Sequence, residues 1–349
     1  MRGGIHLRMY ATFFVPRRWR SKFVRQLDNE METLLKNSRN AVFRLLLREA
    51  SVILVGMLMV GVALLLGRQE FIFPELAALS IGCLVIVKRV WCVDRWRTVV
   101  LLTGAALLGT LLFYSSLPFI AKIALGFSSV ALLLILLRSS LYPALSACLL
   151  PLVLNESSWV YPLAVFLLAL LLVGMQWLME KLHLRTALPF RPVARTVHER
   201  IVRAIYLLIV VTIVVSVAAF FEQRFFILPP LIVLFVEFSR PEAGLRKAPL
   251  LITVLMAVAA LLGNFGKLFL EPFLGLSPVL SMGSVLLLLF VVFSTSKRYF
   301  APAAAIAVLP QILQQDNWYL FPIEVTLATA LFIAIALLFF RAKRTAGQN

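Results

Sequence analysis

The sequence predicts an all-α polytopic membrane protein built from two parallel repeats of about six membrane segments each, with short Pro-interrupted helices among them. Three observations predict it. The chain is 62% hydrophobic with a mean hydropathy of +0.97, well above the apolar share of about 45–50% in soluble domains. Charge-free runs at Ala50–Gly67, Thr98–Ala121, Ser157–Met179, Ala204–Phe221, Ala248–Gly266 and Pro272–Ser296 mostly reach the roughly 20 residues that cross a bilayer as a helix. Strict alternation is absent, and lipid tolerates a long backbone only as a helix or a closed barrel. The third observation is repetition. Pro143, Pro151 and Trp159 are spaced by eight and eight, as are Pro302, Pro310 and Trp318, 159 residues later. Upstream, Arg48 and Phe71–Pro74 match Arg203 and Phe226–Pro229 at an offset of 155.

In order along the chain, residues 1–49 form a basic N-terminal segment. Trp19, Phe23, Leu27 and Met31 recur every fourth position with Arg18, Arg25, Asp28 and Glu32 between them. This is the pattern of an amphipathic helix that beds on anionic lipid headgroups or caps the bundle. Residues 50–179 form the first membrane repeat, with spans near 50–67, 71–87, 98–114, 119–137, 141–154 and 159–179. A basic cytoplasmic linker follows at 180–203. The second repeat fills 204–340, with spans near 204–221, 225–238, 249–263, 274–295, 301–313 and 318–340, and residues 341–349 are a tail. The second and fifth spans of each repeat are short and carry prolines. Short, Pro-interrupted segments at matching places in two halves are the sequence signature of a transporter's binding region.

The net charge of +18 is not a nucleic-acid footprint, because the cations lie between the spans. With the N-terminus inside, 30 of the 34 Lys and Arg fall on the cytoplasmic side, and Arg68, Lys122, Arg224 and Lys267 fall outside. The positive-inside rule then puts both termini in the cytoplasm of a plasma (inner) membrane. A cysteine introduced at Ser157 and one at Gln348 should label from opposite sides; labelling of both from outside overturns this topology.

Candidate chemistry is sparse. Three cysteines and three histidines form no ligand set, so no metal site and no cofactor are expected. There is no Walker loop, nucleophile elbow or zincin motif, and the spans offer few convergent polar groups for an enzyme. The fifth spans begin at Pro143 and Pro302, five residues after Arg138 and Lys297. A helix N-terminus presents free N–H groups and a positive dipole end, so a cation nearby makes most sense with an anion, either a solute or a lipid phosphate. Positive-inside anchoring is the blander role for the same cations. Three carboxylates, Glu75, Glu237 and Glu324, fall inside apolar spans, where charge is costly enough to mark function by default. Glu324 looks the deepest of the three and is the expected proton-coupling group. Ser128, Ser129, Ser277, Ser281, Gly283, Ser284, Gly104 and Gly109 are packing residues first.

Several stretches of the second half resemble the HPP family of integral membrane proteins. They are Phe226-Ile-Leu-Pro-Pro230 running into Ser239-Arg-Pro-Glu-Ala-Gly244, then Ala301-Pro302-Ala-Ala-Ala305 ahead of Leu309-Pro310, and Asn317-Trp-Tyr-Leu-Phe-Pro322. The likeness covers about residues 195–340, with a fainter copy at 44–179. The name-giving His-Pro-Pro is replaced by Phe300-Ala-Pro302 and Leu141-Tyr-Pro143, so no role of that histidine carries over. The resemblance implies a membrane transporter of a small anion, nitrite-like by analogy with the plant members. A fainter likeness, in span order alone, is to fusaric-acid and aromatic-acid exporters. The rival reading from composition is a non-transporting membrane scaffold or regulatory protein.

Overall fold

The structure is a computed structural model. It describes residues 17–340 except 89, 188, 195, 241–242 and 314–317, with side chains from residue 41 onward apart from that of Arg224. Its contacts divide the chain into residues 1–50 and 51–349. In the first unit the described part is the start of α1 (Arg17–Leu66). The backbone is helical through the predicted stripe Trp19–Met31, whose side chains lie outside what is described, as do the segment Gln314–Asn317 and the C-terminal tail.

Among the described residues there are helices and no strands. Eight helices are long and apolar enough to cross a membrane. They are the Ala41–Leu66 part of α1, α3 (Arg95–Tyr114), α4 (Phe119–Leu136), α6 (Val160–Lys181), α7 (Val197–Phe220), α9 (Pro249–Phe265, extended to Leu270 by a π turn), α10 (Pro278–Ser296) and α12 (Leu320–Phe339). Four helices are short: α2 (Glu75–Ser80, continued by a π turn over Ile81–Val85), α5 (Pro143–Leu154), α8 (Pro229–Phe238) and α11 (Ala301–Val308). Between 22% and 44% of each long span's apolar window is buried. Most of each long helix therefore faces outward, and the outward faces are Leu, Ile and Val such as Leu132, Leu163, Ile213 and Leu287, a surface suited to lipid.

Local signals explain the helix starts. Asp94 accepts from the Arg97 N–H at 3.2 Å, Thr196 from the Glu199 N–H at 3.3 Å and Ser277 from the Leu280 N–H at 3.4 Å; each supplies an oxygen to an orphan donor of the first turn. Proline stands in the first turn of α5, α8, α9, α10 and α11, where its missing N–H costs nothing.

The short helices are the core. Every residue of α2, α8 and α11 is buried, as are residues 143–152 of α5. A helix that is apolar all round must be surrounded, and here the long helices surround it. The four contact one another in a ring: α2 with α11, α11 with α8, α8 with α5, and α5 with α2. Outside the ring α3 packs on α4, α5 and α6, and six helices later α9 packs on α10, α11 and α12. At equivalent crossings a glycine admits the partner's backbone. A Cβ on Gly109 would stand 2.2 Å from the Cys148 carbonyl oxygen, and one on Gly263 would stand 2.6 Å from that of Ala307. Gly104, by contrast, has open space around it.

Two boundaries differ from the sequence reading. The fifth long helix begins at Val197, inside the expected linker, where Thr196 caps it and its arginines are taken up by carbonyls. Arg200 donates to the Leu134, Ile135 and Ser139 oxygens at 2.6, 3.1 and 3.0 Å, and Arg203 to the Val236 oxygen at 2.8 Å. Arginine is itself a good helix former, so a charge that interrupts an apolar run marks the edge of the membrane span and not the end of the helix. The second segment, expected at 71–87, is a helix only from Glu75 and ends in its π turn.

Candidate functional site

The ring of short helices encloses a narrow cavity. Its walls are the first turns of all four: Glu75 and Ala78, Pro143 and Ser146, Pro230 and Val233, and Ala301, Pro302 and Ala305, with Trp91 completing it. Its volume is about 10 Å³, room for about one water. Glu75 is 2% exposed, and neither of its oxygens has a hydrogen-bond partner within the protein. Ser146 is close enough to interact with it but outside bonding geometry, and its Oγ is likewise without a protein partner. Among the described residues no basic side chain lines the cavity. An unpaired carboxylate in so apolar a place is expensive, so the group there is either protonated or paired with a cation.

Two larger cavities lie at opposite ends of α6, whose 22 residues span about 33 Å at ~1.5 Å per residue. At its start a cavity of about 40 Å³ is walled by Gln69, Glu70, Leu150, Pro151, Glu156 and Tyr161. Tyr161 donates to the Ala147 carbonyl at 2.8 Å and lies within electrostatic reach of Glu75. At the far end of α6 a vestibule of about 400 Å³ is lined by Asp94, Arg95, Gln176, Glu180 and Arg185. Arg95 pairs with Glu180, whose other oxygen accepts from Gln176 at 3.0 Å. Trp91 lines this vestibule as well as the central cavity. Its indole N–H donates to Glu237 Oε1 at 2.9 Å, and Glu237 is 2% exposed.

The predicted residues divide between these places. Pro143, Pro302 and Glu75 come together at the central cavity, and Glu237 stands behind it through Trp91. Arg138 and Lys297 do not line it. Both are exposed, and both take left-handed backbone, φ 48° and 54°, just past the ends of α4 and α10. A cation there meets the negative end of the helix dipole, which gives each a role without a ligand. Glu324 is half-buried on α12, with Oε2 lacking a protein partner, and it lines none of the three cavities. By enclosure within the protein Glu75 and Glu237 rank ahead of it. Among the described residues no cluster of three His, Cys, Asp or Glu could hold a metal ion.

Trp91, Ser146 and Tyr161 were missed. A tryptophan between Lys88 and Arg95 has the look of an interfacial anchor, and the only hint of a deeper seat is Gly82, nine residues before it, which makes room for its ring.

Eight membrane-length apolar helices around a buried core of short ones define an integral, multi-pass α-helical membrane protein. Comparison with family models, with curated proteins and with solved structures finds no match for the chain.

Proposed function

We propose that the protein is a solute transporter of two parallel six-helix repeats, with Glu75 as the charge-binding group at its centre. The observation that carries this is Glu75 itself: a fully enclosed carboxylate without a protein partner, in a cavity where the first turns of all four short helices meet. A carboxylate so placed takes a proton or a small cation from solution, which is how a coupling ion is held. Two parallel repeats agree with the recurrence of the same helix contacts six helices on, with the paired glycines at 109 and 263, and with the matched prolines. The resemblance to the HPP family favours a small anion, nitrite-like, as the solute. In this cavity an anion travels with the positive charge that neutralises Glu75. The positive-inside count supports a plasma-membrane orientation with both termini cytoplasmic, the vestibule then facing the cytoplasm, and the basic N-terminal segment on anionic headgroups.

The scaffold reading draws on the narrowness of the cavity, but it gives Glu75 no purpose. Reconstitution into liposomes decides between them, with nitrite, formate and benzoate as probe solutes and internal pH as the readout. We expect solute-dependent pH change from the parent. Glu75→Gln should lower it at least tenfold, Glu75→Asp should retain part of it, and Glu324→Gln should leave it near the parent's. Parent-level transport by Glu75→Gln overturns the assignment of Glu75, and no transport of any probe by the parent favours the scaffold.

A further inference from the structure

We propose that Trp91 is the barrier between the vestibule and the central cavity, and that Glu237 is the latch that holds it shut. The inference rests on the reading that the central cavity lies on the solute's path. A polar vestibule of about 400 Å³ and a cavity of about 10 Å³ share one wall residue, Trp91. The side chain is 4% exposed, so it fills its place. Its seat is specific: a Cβ on Gly82 would come within 2.3 Å of Cζ3 and 2.6 Å of Cη2 of the ring. The ring therefore occupies the space that any side chain at position 82 would need, and that glycine stands in the π turn Ile81–Val85, a distortion found mostly at functional places.

The latch joins the two halves of the chain. Trp91 follows α2, and Glu237 lies 146 residues on, near the end of α8. Glu237 is buried and accepts the indole N–H, with Arg240 in electrostatic reach. Swinging the ring away strips Glu237 of that donor, so the closed position is favoured at rest. Because the two partners belong to different halves, a relative movement of the halves breaks the bond and frees the ring together. Opening on this side then needs one side chain to leave a glycine seat, with no helix unwinding.

Accessibility tests this without reference to transport, so it stands or falls apart from the Glu75 experiment. Two single-cysteine proteins are needed. One keeps native Cys83, which lines the vestibule; the other carries Ser146→Cys in a chain with all three native cysteines replaced by Ala. A charged, membrane-impermeant methanethiosulfonate is the probe. We expect Cys83 to react readily and position 146 at least tenfold more slowly. Trp91→Ala should raise the rate at 146 at least tenfold. Trp91→Phe, which keeps a ring but loses the N–H, and Glu237→Gln should raise it by a smaller factor. If Trp91→Ala does not yield a monodisperse protein, these last two decide. An unchanged rate at 146 in a folded Trp91→Ala protein, or in both Trp91→Phe and Glu237→Gln, overturns the proposal.

Discussion

Gly109→Ala and Gly263→Ala should each remove most of the folded protein, although each adds only one methyl group to a membrane helix. The added Cβ would lie 2.2 Å from the Cys148 carbonyl oxygen in the first case and 2.6 Å from that of Ala307 in the second. Neither obstacle is a side chain that can turn aside. Both are backbone of a short helix fully enclosed by its neighbours, so relief requires α3 to part from α5, or α9 from α11. Overpacking of an ordinary core costs about 1–3 kcal/mol, and a clash with fixed backbone lies at or beyond the upper end. Against total stabilities of ~5–15 kcal/mol that is enough to lower the yield several-fold. In membranes close backbone approach at small residues is itself what holds helices together, so the variants lose attraction as well as gain repulsion. Size-exclusion profiles of detergent-solubilised protein check this. Gly104→Ala and Gly174→Ala, with nothing within 4 Å of the new atom, are the controls and should behave as the parent. Equal profiles for all four variants would show that the α3–α5 and α9–α11 crossings are looser than described.

The same glycines show what could be seen in the sequence. Hydropathy finds membrane helices because lipid requires runs of apolar residues, and the long spans stand close to where those runs put them. The short segments were visible as prolines at matched positions. Their place at the centre was not, because burial from all sides depends on what surrounds a helix. The carboxylates make the same point. Glu324 lies well inside an apolar run but on a helix that turns much of its surface outward. Glu75 stands at the first residue of a short helix, where sequence suggests an interface, yet it faces the middle of the ring. Charge misled in the opposite direction. Arg200 and Arg203 break an apolar run and so mark a linker, but their guanidinium groups are absorbed by carbonyls at the ends of α4 and α8. Arg138 and Lys297 recur at one position of the repeat, which pointed to a ligand; their shared backbone conformation gives the recurrence a structural cause.

That contrast makes a prediction about the basic residues, which a topology count treats as equivalent. Arg200→Ala should destabilise the protein by about 2–4 kcal/mol. It removes three donations from one guanidinium to the Leu134, Ile135 and Ser139 oxygens, and hydrogen bonds to a charged group are worth ~1.5–3 kcal/mol each, discounted here because the side chain is half exposed. The Leu134 and Ile135 carbonyls, in the last turn of α4, also accept from the Ser139 and Arg138 N–H groups at 2.9 and 3.1 Å, so the loss is the charged donor shared by these two and the Ser139 oxygen. Arg200→Lys should recover only part of the loss, since a point charge cannot span three oxygens as the planar fork does. Arg138→Gln, a few residues past the same helix end but exposed, should change stability by no more than ~0.5 kcal/mol. Arg138→Gly should raise it by up to about 1 kcal/mol, because relief of the ~1–2 kcal/mol left-handed strain at φ 48° outweighs the ~0.4–1 kcal/mol that glycine's freedom in the unfolded chain costs. Thermal unfolding in detergent, followed by loss of monodisperse protein, measures all four. Arg200→Ala unfolding together with Arg138→Gln would mean that the linker arginines set orientation and nothing else; a gap of several degrees between them assigns Arg200 to the fold.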